Sequence, residues 1–167
     1  MPIQKRQLIL AEREVTYGTD PTPAAATESV LAVDDISISQ AVENAEQEVV
    51  DAFLDPLEHV RGTQLLKLSF STPLKGSGAL GTAPEISELL KAVGFSETIV
   101  AMTSVTYAPA AVFGVGATGY QSNTFYVYDA QHLVQIQGAY GTATLEASVA
   151  GYPKIRWEFT GLYERPT

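Results

Sequence analysis

The most regular pattern in the chain is an alternation of apolar and polar positions near its end. In 154–163, Ile155, Trp157, Phe159 and Tyr163 oppose Lys154, Arg156, Glu158 and Thr160; in 142–149, Ala143, Leu145, Ala147 and Val149 oppose Thr142, Thr144, Glu146 and Ser148. Successive strand side chains point to opposite faces, so a period of two predicts long antiparallel strands, dry on one face and wet on the other. Residues 132–138, 142–150 and 154–163 thus read as a meander, separated by Gly138/Gly141 and Gly151–Pro153. Leu66, Leu68 and Phe70 alternate with Lys67, Ser69 and Ser71 up to Pro73, which predicts a half-buried strand. Val30, Ala32, Ile36 and Ile38 predict another over 30–41, with a bulge or kink at Asp34–Asp35. Segments 98–107 and 123–129 read as strands flanking a loop that holds Gly114, Gly116 and Gly119. Leu8 to Val15 fits either an extended segment or the start of a helical turn.

Only Ala83–Gly94 carries a helical period. Pro84 suits the first turn, Glu85 and Glu88 suit the positive end of the helix dipole, and Gly94 supplies the stop. Ile86, Leu89, Leu90 and Val93 form one apolar stripe, so the helix should lie on a sheet. Turn and breaker residues crowd Tyr17–Pro23, which makes 1–27 an extended arm. Residues 42–60 read as a long acidic loop or irregular hairpin, through which Pro56 forbids a long helix. Its apolar Val49, Val50, Phe53, Leu54 and Leu57 need a partner surface. No repeat or linker interrupts 1–167, which reads as a single domain. The predicted class is mainly β: an antiparallel β-sandwich or barrel with one short α-helix packed on the sheet, and long loops.

Composition narrows the picture. At 167 residues the chain can bury a core without staples, and charged residues are only 17 % of it, against about 25 % in an average domain. The surface is correspondingly rich in small uncharged residues, as suits packing against neighbours. There is no cysteine, hence no disulfide, thiol nucleophile or thiolate metal site, and the chain is compatible with a reducing cytoplasm. The apolar runs are too short to span a membrane, and the opening MPIQKRQLILAERE reads as no signal peptide. The net charge of −9 sits entirely in residues 1–60; the remainder is balanced. Residues 28–58 carry nine acids and no base. Such a segment does not grip a phosphate backbone, although it suits a surface past which DNA slides. A merely solvated acidic loop is the plainer reading.

Candidate chemistry is sparse. His59 and His132 lack metal-ligand neighbours and read as ordinary surface or turn residues. Gly76-Ser77-Gly78 and Gly114-Val115-Gly116 lack the rest of a phosphate loop, and no Gly-x-Ser-x-Gly elbow occurs. Asp34–Asp35 or Glu46–Glu48 could pair as hydrolytic carboxylates, but acids in an exposed polar segment keep ordinary pKa values. Tyr107, Tyr120, Tyr126, Tyr128 and Tyr140 suggest a stacking platform or, more commonly, strand-edge tyrosines. No catalytic constellation, cofactor site or metal site emerges.

Taken in order, several segments resemble the tail tube proteins of long-tailed, siphovirus-type bacteriophages. They are Val15-Thr16-Tyr17-Gly18-Thr19-Asp20-Pro21-Thr22-Pro23; Leu57 to Phe95, with its Gly-Ser-Gly loop and Ala-Pro helix start; Val105-Thr106-Tyr107-Ala108-Pro109; and Gly138-Ala139-Tyr140-Gly141-Thr142 through Phe159-Thr160-Gly161-Leu162-Tyr163. The chain departs from that pattern at Ile86, where many relatives carry an aromatic, and in the high charge of 43–58. The resemblance implies a non-enzymatic virion protein whose homohexameric rings stack into a tube. DNA passes through the lumen without specific binding, and no membrane is entered. It also implies tape-measure, terminator and distal tail proteins as partners, assembly in the host cytoplasm and residence in the phage tail. A tail terminator, a capsid decoration protein or a secretion-system tube subunit is the alternative, with a carboxylate hydrolase well behind.

On this reading Thr142, Thr144, Glu146, Lys154, Arg156 and Glu158 are candidates for the lumen. Glu43, Glu46, Glu48, Val49, Val50, Phe53, Leu54, Lys75 and Lys91 are candidates for subunit interfaces. The acidic segment either coats the channel or docks on a basic patch of the next ring, drawn from Lys67, Lys75, Lys91, Lys154 and Arg156. The arm 17–27 is expected to order only on assembly.

Overall fold

A computed structural model describes residues 7–25, 27–33, 36–45, 60–110, 120–129, 132–149 and 151–164. In chain order these form β1 (Gln7–Arg13), β2 (Ser29–Val30), β3 (Ser37–Ala45), β4 (Val60–Pro73), α1 (Ser87–Ala92), β5 (Phe95–Val100), β6 (Ser104–Pro109), β7 (Asn123–Asp129), β8 (His132–Glu146) and β9 (Lys154–Glu164). The protein is mainly β, antiparallel throughout, with a single short helix among the described residues. Seven strands make one sheet in the order β2-β1-β7-β8-β9-β4-β3, and β5-β6 is a separate hairpin.

The connection between the two edge strands dictates the sheet's curvature. Val30 pairs with Ile9 on β1, while Val33 N–H already donates to Ser71 O on β4 at 2.9 Å. Three residues reach about 10 Å, whereas seven strands laid flat would separate their outer members by roughly 29 Å. The sheet therefore curls almost into a barrel, with 31–33 bridging the gap. Among the described residues no backbone pairing joins β2 to β3, so the barrel is not closed by hydrogen bonds.

Inside the curl lies one core. Leu68, Phe70, Phe125, Trp157 and Phe159 are at most 2 % exposed, and Phe125 and Phe159 stand 4.6 Å apart, centroid to centroid. The Trp157 indole N–H donates to Thr72 Oγ1 at 2.8 Å, so the one polar atom of this side chain is satisfied inside the core. A Cβ at Gly141 would sit 2.4 Å from both Glu158 O and Phe159 Cδ1, so only glycine lets the ring lie over β8. From α1 and the turn before it, Ile86 and Leu89 of the predicted stripe enter the same core together with Ala92, which was not in it, while the stripe's Leu90 and Val93 pack against that core only partly buried.

Several boundaries differ from the sequence reading. Where two strands were expected over 132–138 and 142–150, the single strand β8 runs from His132 and stops at Glu146; Gly138 lies within a bulge between Gln137 and Tyr140, and pairing with β9 resumes beyond it. Segment 98–107, expected as one strand, is most of a hairpin whose turn at 101–103 has no Gly, Pro or Asn to announce it. The 30–41 strand is broken between β2 and β3; the expected bulge at Asp34–Asp35 lies outside the described residues. Strand structure continues to Ala45, into what read as loop, and 46–59 lies outside the described residues. The helix is shorter than 83–94, because residues 84–87 form a turn in which Ser87 N–H donates to Pro84 O at 2.9 Å. Leu8 to Val15, which fits either an extended segment or a helical turn, is strand as far as Arg13.

Candidate functional site

The wet face of four neighbouring strands is where the sequence candidates meet. Register aligns Ser39, Lys67, Thr160 and Tyr140 in one row across β3, β4, β9 and β8, and Ser37, Ser69, Glu158 and Thr142 in the next. Beyond β3, Ser71, Arg156 and Thr144 form a third row, and Pro73, Lys154 and Glu146 a fourth. All six lumen candidates thus share one face, and they form three direct cross-strand pairs: Thr142 with Glu158, Thr144 with Arg156, Glu146 with Lys154. The period of two alone puts each trio on one side of its strand; only the register sets them opposite one another.

Four of the five charged side chains in these rows pair with one another. Lys154 Nζ lies 3.5 Å from Glu146 Oε2, and Arg156 Nε 3.6 Å from Glu158 Oε1. Hydroxyls fill much of the rest. A groove of about 530 Å³ runs along the face past Ser37, Ser39, Ser69, Thr142 and Thr160. One end of it is framed by Tyr120 and Tyr140, stacked with centroids 4.7 Å apart. Burial, and then the neighbouring Tyr140, push the Tyr120 phenol above its ordinary range, so it stays protonated. Ser37, Ser39, Ser69 and Thr160 were not among the sequence candidates. Their alternation with apolar neighbours was readable, but nothing in it ranked them above any other solvated strand position.

The remaining tyrosines are not one platform. Tyr126 donates to Asp20 Oδ2, and Tyr107 donates to Glu97 Oε1 at 2.6 Å. Nor is the arm free. Gln135 Nε2 donates to Asp20 Oδ2 at 2.8 Å, and Tyr17 stacks 6.1 Å from Tyr140 over Gly138, where a Cβ would meet the Tyr17 ring at 2.9 Å. Glu14, only 5 % exposed, accepts from Gly18 N–H, Ser122 Oγ, Thr124 Oγ1 and Gly138 N–H at 2.6–2.7 Å. Of the arm 17–27, expected to order only on assembly, Tyr17, Gly18 and Asp20 are held by residues of their own subunit.

The interface candidates divide. Glu46, Glu48, Val49, Val50, Phe53 and Leu54 lie outside the described residues, and Glu43 sits at a backbone bulge of β3 between Val42 and Asn44. Lys75 is half exposed and paired with Glu85 at 2.9 Å. Lys91 is a correction: expected on a basic docking patch, its side chain is 8 % exposed and bridges Glu88 at 2.9 Å and Glu97 at 3.0 Å. Ser87 Oγ also donates to Glu97, at 2.6 Å. Burial pushes the Glu97 carboxyl up, but hydrogen bonds from Ser87, Tyr107 and Lys91 outweigh it and hold the group below the ordinary carboxylate range. This cluster fastens the β5–β6 hairpin to α1.

Among the described residues no group of three or more His, Asp or Glu side chains is arranged to hold a metal ion, and no helix is long and apolar enough to cross a membrane. Fold and face define a class: an antiparallel β protein whose curled sheet presents a hydroxyl-rich, charge-paired outer surface. Neither a family model nor a curated protein matches the chain.

Proposed function

We propose that the chain is a non-enzymatic structural virion protein, the subunit of a phage tail tube. Its rings, hexameric as the sequence resemblance implies, stack around a channel for DNA. The observation that carries this reading is the wet face of β3, β4, β9 and β8. DNA sticks to proteins mainly through Lys and Arg that displace its counterions. A channel wall must avoid that without repelling the duplex. In the four rows described, three bases (Lys67, Lys154, Arg156) against two acids (Glu146, Glu158), four of them in pairs and set among hydroxyls, meet the requirement. Among the described residues no strand pairs with the outer edge of β3, which adds support, since an unpaired strand edge is a template for continuing the sheet into a neighbour and ring assembly removes it.

Negative-stain electron microscopy of the purified, concentrated protein is the test. The expected result is tubes of uniform width with a central channel. Discrete single rings would point instead to a terminator-like module, and a chain that stays monomeric at every concentration would overturn the reading.

A further inference from the structure

Residues 15–22 run across the outer face of β7 and β8 between two firm anchors. At one end Glu14 is buried, its carboxylate taking four hydrogen bonds and its N–H donating to Ser122 O at 2.9 Å. At the other, Pro23 is buried, Ala24 N–H donates to Glu28 Oε2 at 2.6 Å, and Glu28 O accepts from Ala11 N–H at 3.0 Å. Between the anchors, 15–19 are all exposed, and Tyr17 and Asp20 tie the segment to the sheet. Sparse burial on a chain fixed at both ends describes a strap that opens without unfolding what lies beneath it.

The bend at the far end of the strap is strained. Thr22 adopts φ +59, a left-handed conformation that a branched Cβ disfavours, and it precedes Pro23, where the chain is normally extended. One side chain both holds that bend and fastens the strap. Asp20 Oδ1 accepts from Thr22 N–H at 2.8 Å, while Oδ2 accepts from Gln135 Nε2 at 2.8 Å and from the Tyr126 hydroxyl. Burial and the bond to Asp20 raise the Tyr126 phenol above its ordinary range, so this donor stays protonated. Strain at the bend and fastening at the sheet therefore oppose each other through a single carboxylate.

We infer that 15–22 is a two-state strap, latched shut by Asp20 and loaded toward opening by the strained backbone at Thr22. Closed, Tyr17 lies over the Tyr140 ring, which frames one end of the groove on the wet face. Opening frees that ring together with Tyr126 and Gln135, and so extends the polar surface from β8 onto β7. Losing the Asp20 carboxylate removes latch and bend together; relieving Thr22 alone keeps the latch and takes away the load. The inference draws on contacts within one chain and stands whether or not the chain builds tubes.

Amide exchange followed by NMR on the full chain is the test, with Gly18 and Thr19 as reporters. In the closed strap their N–H groups donate to Glu14 Oε2 at 2.7 Å and to Thr16 O at 3.0 Å. Asp20→Asn turns one acceptor into a donor, so exchange at both reporters should rise roughly tenfold or more. Amides of the β1–β7 ladder should keep their rates, which also shows that the variant folds. Cross-peaks between the Tyr17 and Tyr140 rings should weaken in the same variant. Thr22→Asn places a residue that tolerates the left-handed region at the bend, and both reporters should slow by about threefold or more. Reporters or ring cross-peaks unmoved by Asp20→Asn overturn the latch, and acceleration shared by the β1–β7 ladder overturns the strap as an independent unit. Reporters that Thr22→Asn leaves unmoved or speeds up overturn the strained bend as the load.

Discussion

Glu14 illustrates how much one side chain can hold. Its two oxygens accept four hydrogen bonds, two of them from backbone N–H groups, inside a site with almost no access to water. Glu14→Gln keeps the shape but loses the charge and turns an NH₂ toward donors. Bonds to a charged acceptor contribute about 1.5–3 kcal/mol each, so losing the charge and orphaning a donor should cost about 2–4 kcal/mol. Thermal melts followed by Trp157, the sole tryptophan, should show the midpoint fall by roughly 5–15 °C. An unchanged midpoint would mean that the arm contributes nothing to the body's stability. Nothing in the sequence marks Glu14, because Ser122, Thr124 and Gly138 lie more than a hundred residues along the chain. Gly138 was legible as special but for the wrong reason. At φ +60, and beneath the Tyr17 ring, it accommodates the arm and does not end the strand.

Among the elements, the β5–β6 hairpin is the most conditional. Two strands alone are marginal in water, and this pair is tied to α1 through Glu97, which takes Ser87, Lys91 and Tyr107 at once. Glu97 titrates below its ordinary value of 4.5 in the folded protein. Its contribution is therefore fully present above the unfolded pKa and is lost as pH falls through the folded one. As pH falls below 4.5 and through the lowered folded pKa, amide exchange should accelerate in β5 and β6 before it does in β8 and β9. Glu97→Gln should loosen the hairpin at neutral pH and abolish that pH dependence. Uniform acid loss of protection across the sheet would instead place the weak point elsewhere. Tyr107, whose phenol is raised by burial and by donating to Glu97, remains a donor throughout this range. The hairpin was hidden in the sequence because its turn is Ala101-Met102-Thr103, with none of the usual turn residues.

For the molecule as a whole, the decisive property of the wet face is its near-neutral charge. Glu146→Lys with Glu158→Lys would replace the acids facing Lys154 and Arg156 with bases and leave the face strongly basic. The double variant as free subunits should bind circular duplex DNA, with an affinity that falls steeply as salt rises, whereas the unmodified chain should not. Assembled into tubes, the same variant should lose that binding if the face lines a channel, because a closed circle cannot thread it. Variant tubes that still retain the circle in a mobility-shift assay would put the face on the outside.

The strand faces were written in the sequence, since alternation is a local property and burial of one face follows from it. Ile155, Trp157 and Phe159 are buried, and Arg156 and Glu158 are solvated, as their period of two required. The stripe of α1 and the wet trios of β8 and β9 were legible for the same reason. Register, curvature and long-range partnering were not, because each depends on contacts between residues far apart in the chain. Only the fold sets Glu146 opposite Lys154, draws Lys91 inside with Glu97, and clamps Asp20 between Tyr126 and Gln135. Only the fold leaves Leu145 bare although its pattern is that of a buried strand: the apolar face outruns the layer that covers it.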